Sequence, residues 1–314
     1  MADMDVSIII VSWNTKDILR DCLKSVYGQT SGIDFEVIVI DNASLDGSAE
    51  MVKTEFPQAK LIANADNRGF AVANNQGIEI SNGRYILLLN SDTIVLDGAI
   101  QKTVHFADEH KEAAVTACRI LNKDMSLQPS CSMFLSLRNW FLKITFLYKL
   151  FPQSKFFGRA QMTWWQHNTV KEVDVVSGCF MMVRKDAVMQ IGQMDEQFFM
   201  YCEEVDWCWR FKKAGWKVIF MPDAQIIHLG GASASRHGAK RAQIKDCSTV
   251  KFMFKNWPVW KAHAGLFMMA SFYLSRLILL YPLYLLGVKA ADKKIIDNHK
   301  SGLSGILKYR QYLK

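Results

Sequence analysis

The first hundred residues alternate short apolar runs with amphipathic stretches. Residues 6–11 (VSIIIV) are largely β-branched and show no inside–outside alternation. That is the pattern of a parallel strand covered on both faces. A polar turn, Ser12 to Thr15, leads into a predicted helix that carries Ile18, Leu19, Cys22, Leu23 and Val26 on one face. Residues 35–40 (FEVIVI) predict a second buried strand. It closes in DNASLDGS, a turn full of capping residues, ahead of another helix. Residues 60–63 predict a third, short strand, residues 69–80 a helix, and residues 85–89 (YILLL) a fourth strand. Strands alternating with helices imply an α/β fold with a parallel sheet, whose ligand sits at the carboxyl ends of the strands.

The pattern changes after Asp124. From there to Glu172 the chain has no acidic residue, and residues 133–165 interleave Arg138, Lys143, Lys149, Lys155 and Arg159 with ten aromatics. This is the composition of an interfacial membrane segment, and equally that of a core helix with solvated lysines. Strand-like patterning returns at residues 173–183 and 217–220. Residues 264–288 are apolar with one charge, Arg276. Their length suffices to cross a bilayer, which takes ~20 residues. Arg276 would cost roughly 2.5–3.5 kcal/mol at the bilayer centre, and Pro282 would kink a helix. A span, an embedded hairpin and a tilted in-plane helix all fit. Lys251, Lys255 and Lys261 precede the run and Lys289, Lys293 and Lys294 follow it, so the flanks set no orientation. No internal repeat is present. The expected division is 1–100, 101–230 with the basic–aromatic insertion, and a helical extension 231–314.

With 314 residues, 50% of them hydrophobic, the chain can build a packed core, which excludes disordered and collagen-like classes. The net charge of +8 is unevenly placed. Residues 1–100 hold 7 Lys/Arg against 14 Asp/Glu, and the rest hold 31 against 16. An acidic half suits a metal-bound anion, and a basic, apolar half suits an anionic surface. Seven cysteines without a CxxC pair argue against a disulfide framework or structural zinc and for a reducing compartment. No signal peptide is recognisable, so the catalytic part is expected in the cytoplasm. G-x-x-x-x-G-K-[ST], G-x-G-x-x-G and G-x-S-x-G are all missing. No nucleic-acid-binding module is present either, so no nucleic-acid partner is expected.

Four places carry candidate chemistry. Asp41 and Asp46 follow the second strand, where Asp41 could accept hydrogen bonds from a base or ribose, or simply shape the turn. Asn90-Ser91-Asp92-Thr93 follows the fourth strand. A carboxylate there is poised for a divalent cation bridging to phosphates, or for an N-cap. Glu203, Glu204 and Asp206 crowd three carboxylates into a predicted helix start. The helix dipole favours their charge there, leaving them usable as bases, and Asp206 can pair with Arg210 at i, i+4. His228 follows two isoleucines, as a core histidine or a ligand.

SIIIVSWN, VIVIDNASLDGS, NRGFAVANN, YILLLNSDT, VSGCFMMVRKDAV and FFMYCEEVDWCWRFKKAGW occur in that order. Together, over residues 5–230, they resemble the family-2 inverting glycosyltransferases. The nearest likeness is to the rhamnosyltransferase-type branch of bacterial surface-polysaccharide assembly. The resemblance implies a GT-A fold, a nucleotide-sugar donor and Mg²⁺ or Mn²⁺. It places Ser12, Asn14 and Asp41 in the nucleotide pocket and Asn67, Arg68 and Gly69 near the base or phosphates. Asn90-Ser91-Asp92 falls at the D-x-D position, with Asn where the family has its first Asp, so Asp92 becomes the main metal ligand and His228 a second. It assigns the base to Glu204, with Glu203 and Asp206 as fallbacks. Rhamnose from dTDP-rhamnose is the implied donor; hexosyl, N-acetylhexosaminyl or galactofuranosyl transfer, and a non-catalytic nucleotide-sugar-binding scaffold, are the alternatives. The acceptor is expected to be a lipid-linked or other glycan. The enzyme would then sit at the cytoplasmic side of the bacterial cell membrane, peripheral or anchored by residues 264–288.

Overall fold

The four apolar runs of the first ninety residues form strands β1 (Val6–Ser12), β2 (Phe35–Asp41), β3 (Lys60–Ala63) and β4 (Tyr85–Asn90). They pair in parallel in the order β3-β2-β1-β4, in a computed structural model that describes residues 4–230, 240–288 and 293–313. Helices α1 (Lys16–Gln29), α2 (Ser48–Glu55) and α3 (Phe70–Glu79) make the crossovers. β1 lacks alternation because it has no solvent face. Ile8 and Ile10 pack with Leu19, Leu23 and Val26 of α1, and Ile9 packs on the other face with Ala71 and Ala73 of α3. Each such isoleucine stabilises the sheet by roughly 1.5–3 kcal/mol relative to an exposed one.

The second half extends the same sheet. β5 (Thr93–Leu96), α4 (Ala99–Glu109) and β6 (Ala113–Leu121) come first. The short β7 (Cys131–Ser132), α5 (Leu137–Ile144), α6 (Leu147–Leu150), β8 (Lys171–Glu172) and β9 (Val175–Val176) follow. β10 (Phe180–Arg184), α7 (Lys185–Ile191), α8 (Glu203–Lys213) and β11 (Lys217–His228) complete it. Beyond β4 the order is β10-β6-β11-β5. β10 runs antiparallel to both β4 and β6, and β11 is parallel to β6 but antiparallel to β5. The sheet is mixed, mainly parallel and flanked by helices, as the GT-A resemblance implies. β7 and β9 form a separate two-stranded ribbon.

The C-terminal extension comprises α9 (Lys240–Asn256), α10 (Val259–Leu285) and α11 (Lys293–Leu307). Trp140 of α5, Val250 and Met253 of α9, Leu266 and Met269 of α10 and Ile306 of α11 make its own core. The basic–aromatic insertion is therefore divided. Trp140 and Leu142 are buried, whereas Phe141, Phe146, Leu150, Phe151 and Phe156 are exposed.

α10 is the one helix among the described residues long and apolar enough to cross a membrane, and only 17% of its most apolar window is buried. Phe267, Leu274, Ile278, Leu279 and Leu285 are exposed. Arg276 is not. Its guanidinium lies 4.1 Å from the Phe146 ring centroid and 4.3 Å from that of Phe272, and donates to the Ile144 carbonyl at 3.0 Å. The charge ties α10 to the end of α5 instead of facing outward. Two of the flanking lysines are likewise engaged within the protein: Lys255 pairs with Asp195 and Asp206, and Lys251 donates to the Gln197 carbonyl. Lys289 lies outside the described residues. Arg276→Ala should loosen the α5–α10 contact and cost about 1–3 kcal/mol, read as a lower midpoint in thermal denaturation.

Candidate active site

The register of the central strands brings three polar strand ends to within one residue of the same level. Ser12 is level with Asp41, and Val11 with both Ile40 and Asn90. The carboxyl ends of β1, β2 and β4 therefore open together, at the point where the strand order reverses around β1. A cleft of about 300 Å³ lies there. Val11, Trp13, Asn42, Asn67, Asn90, Ser91 and Asp92 line it from the first half; Gly178, Cys179, Tyr201, Glu203, Glu204, His228 and Arg241 line it from the second.

The β5–β11 ladder brings His228 to Asp92. His228 is opposite Thr93, and the Leu229 amide donates to the Asp92 carbonyl at 2.9 Å. His228 Nε2 then lies 3.2 Å from Asp92 Oδ1 and 3.4 Å from Asn90 Nδ2. Its Nδ1 lies 2.6 Å from Gln128 Oε1. Gln128 Nε2 already donates to Asn122 Oδ1 and to the His228 carbonyl, so Oε1 must accept and Nδ1 must carry the proton. With Nδ1 held by Gln128, Nε2 is the ring nitrogen that faces Asp92, the arrangement by which a second residue orients a histidine ligand.

The acidic turn is held by backbone contact. The Phe70 amide at the start of α3 donates to the Phe199 carbonyl at 2.7 Å. Gly69, at φ 85°, leaves room for that approach: a Cβ there would lie 2.5 Å from the Phe199 oxygen. Tyr201 and Cys202 both adopt left-handed φ, 69° and 68°, at about 1–3 kcal/mol of strain each. This swings Glu203 and Glu204 into the cleft at the first turn of α8. Both Oε2 atoms are buried without a hydrogen-bond partner. Burial, then the facing charge of Glu204, pushes the Glu203 carboxyl well above the ordinary range; burial also raises Glu204, opposed by the nearby Lys245 cation. The helix dipole does not hold the two carboxyls at their ordinary range, because desolvation outweighs it.

The predicted residues separate into groups. Asn67, Asn90, Ser91, Asp92, Glu203, Glu204 and His228 line the cleft together. Asp206 does not. It is fully buried and bonded to Arg210 (2.8 Å), Lys255 (2.9 Å) and Asn256 (3.0 Å), clamping α8 to α9, so it is not placed to act as a base. Ser12 is buried beneath the cleft, linked through Thr15 to Ser91. Asn14 accepts from the Leu45 amide and bonds the Asp41–Ser48 turn rather than lining the cleft. Asp41 caps Ser44 through Oδ1 and keeps Oδ2 buried with no partner. The Arg68 side chain is exposed away from the cleft, while its amide donates to Asn42. Gly69 makes its close approach to Phe199, not to open space. Residues the sequence did not single out are Trp13, Asn42, Gln128, Ser177, Gly178, Tyr201 and Arg241. Arg241 Nε donates to the Tyr201 hydroxyl at 2.8 Å. Asn42, within a turn already marked as polar, was the one with a local signal.

Residues 7–192 match the profile of the family described as "Glycosyl transferase family 2". The chain belongs to this family. An N-acetylglucosaminyl-diphospho-decaprenol L-rhamnosyltransferase of Mycobacterium tuberculosis is 26% identical over 235 residues, covering 71% of this chain and 76% of that protein. Rhamnosyltransferase WbbL of Escherichia coli K12 is 22% identical over 232 residues, covering 71% and 83%. Among solved structures, the mannosyltransferase PcManGT of Pyrobaculum calidifontis, in complex with GDP-Man and Mn²⁺, superposes with a TM-score of 0.57 at 14% identity, over 97% of this chain and 86% of that one. GalNAc-T7 with UDP, GalNAc and Mn²⁺ gives 0.54 at 15% identity, over 72% of this chain and 43% of that one. The family-2 chain is thus a rhamnosyltransferase-like glycosyltransferase with the GT-A fold.

Two measurements follow from the buried groups. Glu203→Gln should stabilise the family-2 fold increasingly as pH rises above the ordinary carboxylate range of about 4.3. A raised folded-state pKa means that stability is present at low pH and lost as the group is forced to ionise, and Gln has no such loss. The difference in melting temperature should vanish near pH 4; a constant difference across pH would contradict the raised pKa. Asp206→Ala removes the acceptor shared by Arg210, Lys255 and Asn256 and should cost about 3 kcal/mol, seen in denaturant unfolding.

Proposed function

We propose that this chain is an inverting sugar transferase using a nucleoside-diphosphate donor, with Glu204 as general base. The observation that carries the reading is that Asp92, His228, Glu203 and Glu204, far apart in sequence, line one cleft at the carboxyl end of the sheet. Glu204 and Ser177 also line a second cavity of about 420 Å³. Glu204 therefore stands between a donor side and an acceptor side, whereas Glu203 faces the donor side only.

Among the described residues no group of three or more His, Cys, Asp or Glu forms a ready-made metal site. The pair Asp92 and His228 nevertheless fits a divalent ion, one oxygen and one nitrogen donor 3.2 Å apart. The remaining positions would be left for water and diphosphate oxygens, and the nitrogen suits Mn²⁺ at least as well as Mg²⁺. Bound there, the ion would neutralise charge on the leaving diphosphate.

The protein's own groups do the rest. Asp41 Oδ2, buried and unpartnered at the end of β2, is an acceptor for a base N–H or a ribose hydroxyl. Glu204 takes the proton of an acceptor hydroxyl. The new bond from that oxygen to the anomeric carbon forms as the bond to the diphosphate breaks, with the electron pair leaving on the phosphate oxygen. Attack from the face opposite the nucleotide inverts the centre. The two rhamnosyltransferase relatives support rhamnose as the transferred sugar, and the name of the Mycobacterium relative supports a lipid-linked glycan acceptor. The exposed apolar face of α10 supports attachment to a membrane, in which the helix is embedded with Arg276 turned inward.

Stabilisation by candidate nucleotide sugars with Mn²⁺ present identifies the donor, because a ligand that binds only the folded chain raises its melting temperature. With that donor, Glu204→Gln should keep binding and lose roughly 10²–10⁴-fold in turnover. Asp92→Ala should lose the Mn²⁺-dependent part of the stabilisation. Undiminished turnover in Glu204→Gln removes the base assignment.

A further inference from the structure

A third cavity of about 370 Å³ lies between the insertion and the C-terminal helices, lined by Trp140, Leu142, Tyr148 and Phe157 on one side and by Lys245 and Tyr273 on another. Its size falls in the range of ligand pockets, and its walls are mostly apolar with a few polar groups. Two observations connect it to the catalytic cleft. It shares Ser132 and Gln161 with the acceptor-side cavity, which in turn shares Ser177 and Glu204 with the donor cleft. The three spaces therefore adjoin in sequence, with Glu204 at the inner junction. Lys245 lines this cavity and is also near enough to Glu204 for its charge to act on that carboxyl. Asn139, 7% exposed, lines the same cavity, and its Oδ1 is buried with no hydrogen-bond partner.

A ligand matching this path has a sugar hydroxyl at Glu204, an anionic link beside Lys245 and a hydrocarbon chain against Trp140, Leu142 and Phe157. We propose that the cavity between α5, α9 and α10 holds the first units of the prenyl chain of a prenyl-diphosphate-linked acceptor, with Lys245 facing its diphosphate. This rests on the transferase reading for the identity of the acceptor, but the site itself is defined without it. The wall of the cavity includes Tyr273 of α10, whose outer face is apolar and exposed, so the chain can continue from the cavity toward the bilayer. The insertion at 133–165, which the transfer chemistry does not use, acquires a role as one wall of this site.

Farnesyl diphosphate and farnesol serve as probes, titrated calorimetrically into the full chain without divalent ions, which keeps the diphosphate from the donor cleft. The wild type should bind both. Ala160→Trp and Ala242→Trp, each filling the cavity from a different wall, should weaken both by about tenfold or more, some 1.4 kcal/mol. Lys245→Met should weaken farnesyl diphosphate and leave farnesol unchanged. Ile278→Ser, on the exposed face of α10, should alter neither. The proposal is overturned if the wild type binds neither probe, if both filling variants bind as the wild type does, or if Ile278→Ser alone abolishes binding. A parallel titration of nucleoside diphosphate with Mn²⁺ into the same variants should be unaffected by the tryptophans. Failure of that titration in the wild type would count against the transferase reading and leave the cavity result standing.

Discussion

Register along β1 governs where the polar groups at the strand ends go. Because side chains alternate with a period of two, a slip of one residue against β2 or β4 would turn Ile8 and Ile10 toward α3 and move Ser12 out of line with Asp41. Burial on both faces makes such a slip costly in two layers at once. The polar residues at the strand ends thus inherit their positions from the packing of isoleucines that never touch a ligand. The Thr15–Ser91 hydroxyl contact and the caps in the Asp41 turn refine a row that the core has already set.

The acidic turn works against stability in a way the rest of the molecule compensates. Two left-handed non-glycine residues, two carboxylates in low dielectric and two buried oxygens without partners are collected within four residues, Tyr201 to Glu204. Holding them are the Phe70–Phe199 backbone bond on one side and the Asp206 clamp to Arg210, Lys255 and Asn256 on the other. The neighbouring acids do opposite jobs. Asp206 is saturated with cations and an amide and fixes α8 on α9, while Glu204, two residues earlier, is kept under-solvated and therefore more basic than an exposed carboxylate. The difference comes from their environments alone.

Much of the donor half was legible from sequence. The uninterrupted β-branched runs and the turn-rich segments after them gave strands β1 to β4, the crossovers and the placement of Asn90 to Asp92, because these depend on local pattern. What the pattern could not supply was antiparallel pairing over long distances. β10 inserts between β4 and β6, and β11 reaches back to β5, so the meeting of His228 with Asp92 and Gln128 is a property of topology and not of any window of residues. Asn14, Ser12 and Arg68 were placed in the pocket by motif resemblance; in the fold the first two support the loops beneath it, and Arg68 contributes its amide while its side chain points away. Arg276 looked like a penalty in an apolar run because its aromatic partners Phe146 and Phe272 cannot be paired from composition. The acids of the 203–206 cluster looked equivalent because burial is invisible in sequence.

The cysteines have one more implication. Six of the seven are buried, and burial pushes Cys22, Cys131, Cys179 and Cys208 up to about 12. Thiolates are the reactive species, so these positions are inert to oxidants and alkylating reagents at neutral pH. Only Cys247, on the helix that also bears Lys245, is partly accessible. Nature has left a single chemical handle there: a maleimide dye would report from the groove that α9 forms with Gln197 and Phe199, next to the acidic turn, on an otherwise unlabelled, unmutated enzyme.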